Sequence, residues 1–258
     1  DLTVKKGMNQ GWFGNADVAG GTEDRYMGRF MLNRFVDKTQ VSVVGSANNV
    51  NDQGFSGGGG PPRWRRNNGL TATKMLGVNF ATQTDKLELG GSARYNYQDG
   101  DIASIGSTED FLPDSNSYSN SNSRQRNKAK NFNADFRMEW KPDSMTNIIF
   151  RPNFSYGKTD NLSNSESGTF SSDPYSLVSD PNNWLNLEKI LNPDDDPLRS
   201  IRINAINSGS LSDNKSVSTD ATLQLNRKLN DKGRNVTFRG RFGYTNNDNN
   251  QYTESETH

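Results

Sequence analysis

The sequence predicts an all-β fold: an antiparallel up-and-down transmembrane β-barrel segment, about nine or ten strands of a larger barrel, with long extracellular loops. Three observations predict it. Residues 131–140 alternate polar and apolar without a slip, turn at Lys141-Pro142-Asp143-Ser144, and resume the alternation through Ile148, Phe150, Pro152, Phe154 and Tyr156. Side chains of a strand point to opposite faces with period two, so this hairpin has one oily face and one wet face. Second, only 30% of the 258 residues are hydrophobic and the mean hydropathy is −0.93, against about 45–50% apolar residues in ordinary globular chains. Third, short turns alternate along the chain with long polar segments.

The elements follow in order. Strands are expected over residues 11–21, 25–35, 39–48, 69–82, 86–98, 131–140, 147–156, 216–229 and 235–245, with residues 2–6 as a tenth. On each, one register collects the apolar side chains: Leu87, Leu89, Gly91, Ala93, Tyr95 and Tyr97 oppose Glu88, Gly90, Ser92, Arg94, Asn96 and Gln98. Val217, Ala221, Leu223 and Leu225 oppose Ser218, Asp220, Thr222, Gln224 and Asn226, while Val236, Phe238, Phe242 and Tyr244 oppose Thr237, Arg239 and Arg241. Tight turns are expected at residues 36–38, 83–85, 141–145 and 230–234, and polar loops at 49–68, 99–130 and 157–215; Thr22-Glu23-Asp24 is a short turn at the long-loop rim. That asymmetry of rims belongs to outer-membrane barrels. Trp12 and Trp140 fall at one rim and Tyr97, Tyr156 and Tyr244 at the other, as in an aromatic girdle.

Composition excludes several classes. Disorder calls for few aromatics and high net charge, yet aromatics reach 10% and Lys plus Arg, at 30, balance Asp plus Glu, at 30. The same balance removes any general electrostatic reason to bind nucleic acid. The absence of cysteine rules out disulfides and thiolate metal sites. No run of about 18 apolar residues is present to form a transmembrane helix. The chain opens directly on Asp1-Leu2-Thr3-Val4 without a signal peptide, so a processed or excised segment of a longer polypeptide is expected.

Several stretches resemble a known family when taken in order. They are Gly11-Trp12-Phe13-Gly14-Asn15, Thr22-Glu23-Asp24-Arg25-Tyr26, Ala47-Asn48-Asn49 with Gln53-Gly54-Phe55-Ser56, Phe150-Arg151-Pro152-Asn153-Phe154-Ser155-Tyr156, and Leu225-Asn226-Arg227-Lys228-Leu229 followed by Gly233-Arg234. Together the chain resembles the TonB-dependent-receptor-like outer-membrane β-barrel family of Bacteroidetes. The resemblance implies a middle segment of a barrel of about 22 strands, with residues 1–258 all part of one barrel domain. It implies a plug and an N-terminal regulatory-like domain outside this chain, and contact with the TonB complex through that missing region. Its further partners would be membrane lipid or lipopolysaccharide and the remainder of its own barrel.

Site residues follow from this frame. Phe132, Phe136, Met138, Trp140, Phe150, Phe154, Phe238 and Phe242 are expected to face lipid, and Arg94, Asp135, Arg137, Glu139, Arg239 and Arg241 the lumen. Pro61-Pro62-Arg63-Trp64-Arg65-Arg66 brings three guanidinium groups around one indole. Arg63, Trp64, Arg65 and Arg66 suit an anionic or sugar ligand, or equally lipopolysaccharide phosphates, through bidentate bonds and stacking, but neither outweighs a plain solvated loop. The adjacent Gly57–Gly60 run has no Walker or GxGxxG context and reads as a flexible loop. Asp194-Asp195-Asp196, with Asp173 and Asp180, lacks the order of a Ca²⁺ loop and, among Pro174, Pro181, Pro193 and Pro197, reads as turns. Trp184, Leu185, Leu187, Ile190 and Leu191 have helical spacing and suggest a loop helix packed on the barrel mouth.

No catalytic, cofactor or metal residue is assigned. The single histidine is terminal His258, and no serine sits in a nucleophile elbow. The expected function is an outer-membrane receptor or transporter barrel for TonB-dependent uptake of a nutrient. The alternative is a surface-exposed structural or adhesion barrel without transport. A secreted β-solenoid acting on glycan would need a fixed repeat period, which the irregular strand spacing does not provide.

Overall fold

A computed structural model describes residues 10–51, 69–111, 116–192, 196–230 and 233–258. Its nine strands form one antiparallel sheet in sequence order. They are β1 (Gln10–Gly20), β2 (Tyr26–Val36), β3 (Thr39–Asn48), β4 (Leu70–Gln83), β5 (Leu87–Asp110), β6 (Ser117–Asp143), β7 (Thr146–Phe170), β8 (Arg202–Lys228) and β9 (Asn235–Thr257). Each strand pairs with its chain neighbours, and the sheet is open, with β1 and β9 at its edges. Residues 2–6, expected as a further strand, lie outside the described residues.

Directly opposed residues share a face, so the register alone sorts the side chains. One row across five strands runs Leu87, Trp140, Ile148, Leu225, Phe238; another runs Phe80, Gly91, Phe136. Gly91 is glycine for a packing reason. A Cβ there would lie 2.8 Å from the Asp135 carbonyl oxygen and 2.9 Å from the Phe80 ring. The Phe80 and Phe136 rings meet over this gap with centroids 6.1 Å apart. Phe132 and Phe154 meet similarly at 6.0 Å. Pro152 sits inside β7 although it cannot donate to a ladder. The β6–β7 pairing accordingly skips from Asp135↔Asn153 to Met138↔Phe150.

Two expectations need correction. The segments 99–130 and 157–215 are not mainly loops: β5 runs on to Asp110, β6 starts at Ser117, β7 ends at Phe170 and β8 starts at Arg202. Strands of 23 to 27 residues result. Alternation fades there because both faces are polar, while the backbone ladder needs no particular side chain. Tyr97, Tyr156 and Tyr244 therefore lie mid-strand rather than at strand ends. The second correction concerns β1 and β2, where the polar face also carries Phe13, Met31 and Phe35, with Phe13 and Phe35 stacked at 5.5 Å.

Tight turns join β2–β3, β4–β5 and β6–β7 at one rim, where the Leu229 N–H also meets the Arg234 carbonyl at 2.8 Å between β8 and β9. Asp37 takes φ 51° in the first of these, and Glu23 and Asp24 take φ 58° and 56° in the short turn at the other rim. Such left-handed backbone is most tolerable for Gly, Asn and Asp.

A folded connector follows β7, described over residues 171–192 and 196–201. Asp173 and Asp180 cap the 3-10 turns Pro174–Ser176 and Pro181–Trp184, accepting from the backbone N–H of Tyr175 (2.9 Å) and Asn182 (3.1 Å). One turn of helix, α1 (Leu187–Leu191), follows. Phe170, Leu185 and Leu198 are fully buried together, with Tyr118, Val178, Trp184 and Ile201 around them. Leu185 packs over Gly168 and the Tyr175 hydroxyl is 3.2 Å from the Asn120 amide nitrogen. Gly168 and Asn120 are opposed and lie on the apolar-side register, so the connector docks on that face of the strand tips and does not close over the polar face. The expected helical patch is split: Leu187, Ile190 and Leu191 lie in α1, whereas Trp184 ends the Pro181–Trp184 3-10 turn and Leu185 follows it.

Candidate functional site

The polar face of the sheet is an extended surface of charged and amide side chains. The register places Arg94, Asp135, Arg137, Glu139, Arg239 and Arg241 on it, and Phe132, Phe136, Met138, Trp140, Phe150, Phe154, Phe238 and Phe242 on the opposite face. Its side chains bridge strand to strand. Asp17 accepts from Arg29 Nε at 2.8 Å on β1–β2, and Ser42 is hydrogen-bonded to Asn33 on β2–β3. Ser92 is hydrogen-bonded to Asp135 between β5 and β6.

Glu88 lies directly opposite Glu139, an unfavourable like-charge pair. Arg137 stands between them, 4.0 Å from Glu88 and 3.1 Å from Glu139, and Lys141 approaches Glu139 to 3.2 Å. Asn147 on β7 donates to Glu139 at 3.2 Å. Farther along the sheet, Arg239 donates two bonds to the Gln224 side-chain oxygen Oε1, at 3.2 and 2.9 Å, and Arg241 lies 3.5 Å from Asp220. The result is a network of paired charges and amides suited to line water, with its groups holding one another in place.

The strand extensions carry their own pairs on the other register. Arg124 forms a bidentate pair with Asp101, at 3.0 and 2.6 Å, and Arg126 does so with Asp99, at 3.3 and 3.2 Å. Lys158 lies 3.4 Å from Asp160 and 3.0 Å from Asp213. The hydrogen bonds from Arg124 hold the Asp101 carboxyl below the usual carboxylate range, and those from Lys158 do the same for Asp213. At the tight-turn rim, the Met145 backbone N–H and the Thr146 hydroxyl hold Asp143 low, assisted by Arg227.

Near that rim lies an open cavity of about 660 Å³ lined by Lys86, Lys141, Asp143, Asn226, Arg227 and Thr237. It mixes charges already paired in turns and sets no nucleophile beside a base. Among the described residues, no group of three or more His, Cys, Asp or Glu comes together to hold a metal ion. Asp196 is taken up instead by a buried ion pair with Arg202, whose second nitrogen donates to the Trp184 carbonyl at 3.0 Å. Asp194, Asp195, the Gly57–Gly60 run and the Arg63, Trp64, Arg65 and Arg66 cluster lie outside the described residues.

Sequence reading missed the Glu88–Arg137–Glu139–Lys141 chain, since only the register discloses that Glu88 meets Glu139. It also missed Arg202, whose partner lies within the connector. The signal for the second was an arginine within six residues of an Asp-Pro turn.

No family model matches the chain, and no curated protein matches it. Among solved structures, it is similar to the crystal structures of Pseudomonas aeruginosa OccK8 (OprE) and OccK2 (OpdF), at 9% and 8% identity with TM-scores of 0.12 and 0.11. Those alignments cover 96% of this chain, and 96% and 95% of the two matched chains. The strand pairing itself makes the fold an up-and-down sheet.

Proposed function

We propose that the chain forms part of the wall of an outer-membrane barrel, and that this barrel is a receptor taking up a nutrient by a TonB-dependent route. One observation carries the barrel reading: a nine-stranded meander has an apolar face left bare beside a charged, cross-bridged face. Phe238 and Phe242 are 59% and 61% exposed, a cost that water would impose and lipid removes. The dimensions agree. From Phe132 to Trp140 the apolar register spans about 26 Å of strand at ~3.3 Å per residue. Tilted by about 40°, that covers roughly 20 Å of the membrane normal, close to the ~25 Å band of outer-membrane barrels.

In this reading Phe132, Phe136, Met138, Trp140, Phe150, Phe154, Phe238 and Phe242 face lipid, and Arg94, Asp135, Arg137, Glu139, Arg239 and Arg241 face the lumen. The chain carries out no reaction of its own and uses no cofactor. The receptor half of the proposal draws on the ordered motifs that resemble TonB-dependent receptors. It is also supported by Phe13, Met31 and Phe35 on the polar face, an apolar area suited to an inner plug domain. A specific observation favours the alternative, a surface-exposed structural or adhesion barrel: strands of up to 27 residues far exceed the 9–11 or so that a bilayer needs.

Fractionation and heat-modifiable migration of the full-length protein in SDS gels test the barrel. Recovery from the soluble fraction without detergent would sink it. Deleting the plug-encoding region and the TonB gene separately tests the receptor. Loss of growth on a scarce nutrient in both strains is expected, and unaltered uptake in both would favour the adhesion barrel.

A further inference from the structure

The apolar-side register changes character at one row. Lys74 lies opposite Tyr97, Tyr97 opposite Lys130, Lys130 opposite Lys158, and Lys158 opposite Lys215. Four lysines thus stand in one row across five adjacent strands. On each strand the lysine is the next residue of that face beyond an apolar one: Leu76 precedes Lys74 in the row below, Phe132 Lys130, Tyr156 Lys158 and Val217 Lys215. Lys128 occupies the following position on β6, opposite Asp99.

Like charges placed directly opposite destabilise a sheet. The nearby carboxylates relieve only part of the row. Asp160 and Asp213 take Lys158, while Asp99 and Asp101 are engaged by Arg126 and Arg124. Asp248 stands opposite Lys215. Among the described residues, the side chains of Lys74, Lys128 and Lys130 make no hydrogen bond or ion pair. They surround Tyr97, whose hydroxyl donates to Asp99 at 3.4 Å.

We infer that this lysine row, centred on Lys74, Lys128 and Lys130, docks the phosphorylated sugar headgroup of an outer-leaflet glycolipid. The inference rests on the outer-membrane reading above. The row marks the level where the strands leave hydrocarbon, and at that level lipid phosphates are the abundant anions. Lys74 and Lys130 lie about 10 Å apart across two strand spacings. Their flexible stems bring two ammonium groups to one phosphate over the Tyr97 ring, and the sugar has an aromatic face to rest on. Occupation also adds negative charge beside Lys128, Lys130 and Lys158, which gives the uncompensated lysines a physical reason to stand together.

The test uses the full-length protein purified from membranes in detergent, with diphosphorylated lipid A as probe and enzymatically dephosphorylated lipid A as control, and bound lipid counted by native mass spectrometry. The unsubstituted protein should bind the phosphorylated probe much more tightly than the control. At about fivefold per surface lysine, the Lys74→Gln/Lys128→Gln/Lys130→Gln variant should bind on the order of 100-fold more weakly. Lys38→Gln at the opposite rim should leave binding unaltered. Equal binding of the two lipids by the unsubstituted protein overturns the inference even if the triple variant does not fold. So does full binding by a folded triple variant. Heat-modifiable migration of the same preparation keeps the two readings apart. A heat-modifiable protein indifferent to phosphate refutes only the docking row, whereas a protein soluble without detergent refutes the outer-membrane reading with it.

Discussion

Phe136 shows how one residue tests the orientation of the whole face. Its ring lies over Gly91 beside Phe80, near the middle of the apolar span of β6. If that span crosses lipid, Phe136→Arg places a charge near the bilayer midplane. A loss of about 2–4 kcal/mol in folding into bilayers is expected, measured by urea titration in lipid vesicles. The neighbouring Arg137 on the other register already holds a charge among Glu88 and Glu139. Exchange of that residue for glutamine removes one pair from a watery surface, so a loss below about 1 kcal/mol is expected in the same titration. Equal costs at 136 and 137 would contradict the assignment of faces. These facing sets were readable from sequence because alternation needs only the order of residues. Phe13 and Phe35 were not, since apolar residues occupy both registers of β1 and β2 and period two no longer singles out one face.

At the scale of elements, the connector and the strand extensions make separate predictions. Asp196 and Arg202 are almost completely buried, with side chains 1% and 9% exposed. Removing one member of such a pair leaves a buried charge uncompensated. Arg202→Met should destabilise the connector by about 3–5 kcal/mol, seen as proteolysis within residues 171–201 while the heat-modifiable barrel persists. The extensions respond to acid. Because Asp101 and Asp213 titrate below their usual range when folded, their contribution is complete above the ordinary carboxylate pKa and is lost as pH falls through the lower folded values. Amide protection in residues 99–103 and 122–126, corrected for intrinsic exchange, should hold at neutral pH and decline only in strong acid. Asp101→Asn should show lower protection at neutral pH and a weaker decline. The extents of these strands escaped the sequence reading because Ser, Asn and Asp on both faces look like loop. The core of Phe170, Leu185 and Leu198 escaped it because three separate segments supply its members. The lysine row was hidden for the same reason: residues 74, 130, 158 and 215 become neighbours only through strand register.

The whole sheet poses a question of closure. In the proposed barrel, an edge strand in lipid would leave backbone N–H and C=O groups without water or a partner, so β1 and β9 would each need a neighbour. They are poor neighbours for each other. In an up-and-down sheet of nine strands the first and last run in the same direction, so joining them would create a parallel pair. Bacterial single-chain barrels have even strand numbers and antiparallel pairing throughout. Their lengths also disagree, 11 residues in β1 against 23 in β9. An odd number of further strands, inserted between β9 and β1, removes both conflicts and completes an even barrel. The chain contains no cysteine, so introduced thiols have no competitor within it. In the full-length protein, Asn15→Cys on β1 and Arg241→Cys on β9 should not cross-link under mild oxidation. By contrast, Ser92→Cys and Asp135→Cys, which lie directly opposite on β5 and β6, should do so readily. A disulfide between residues 15 and 241 would show that the nine strands close on themselves, and would reduce the barrel to the span of this sheet.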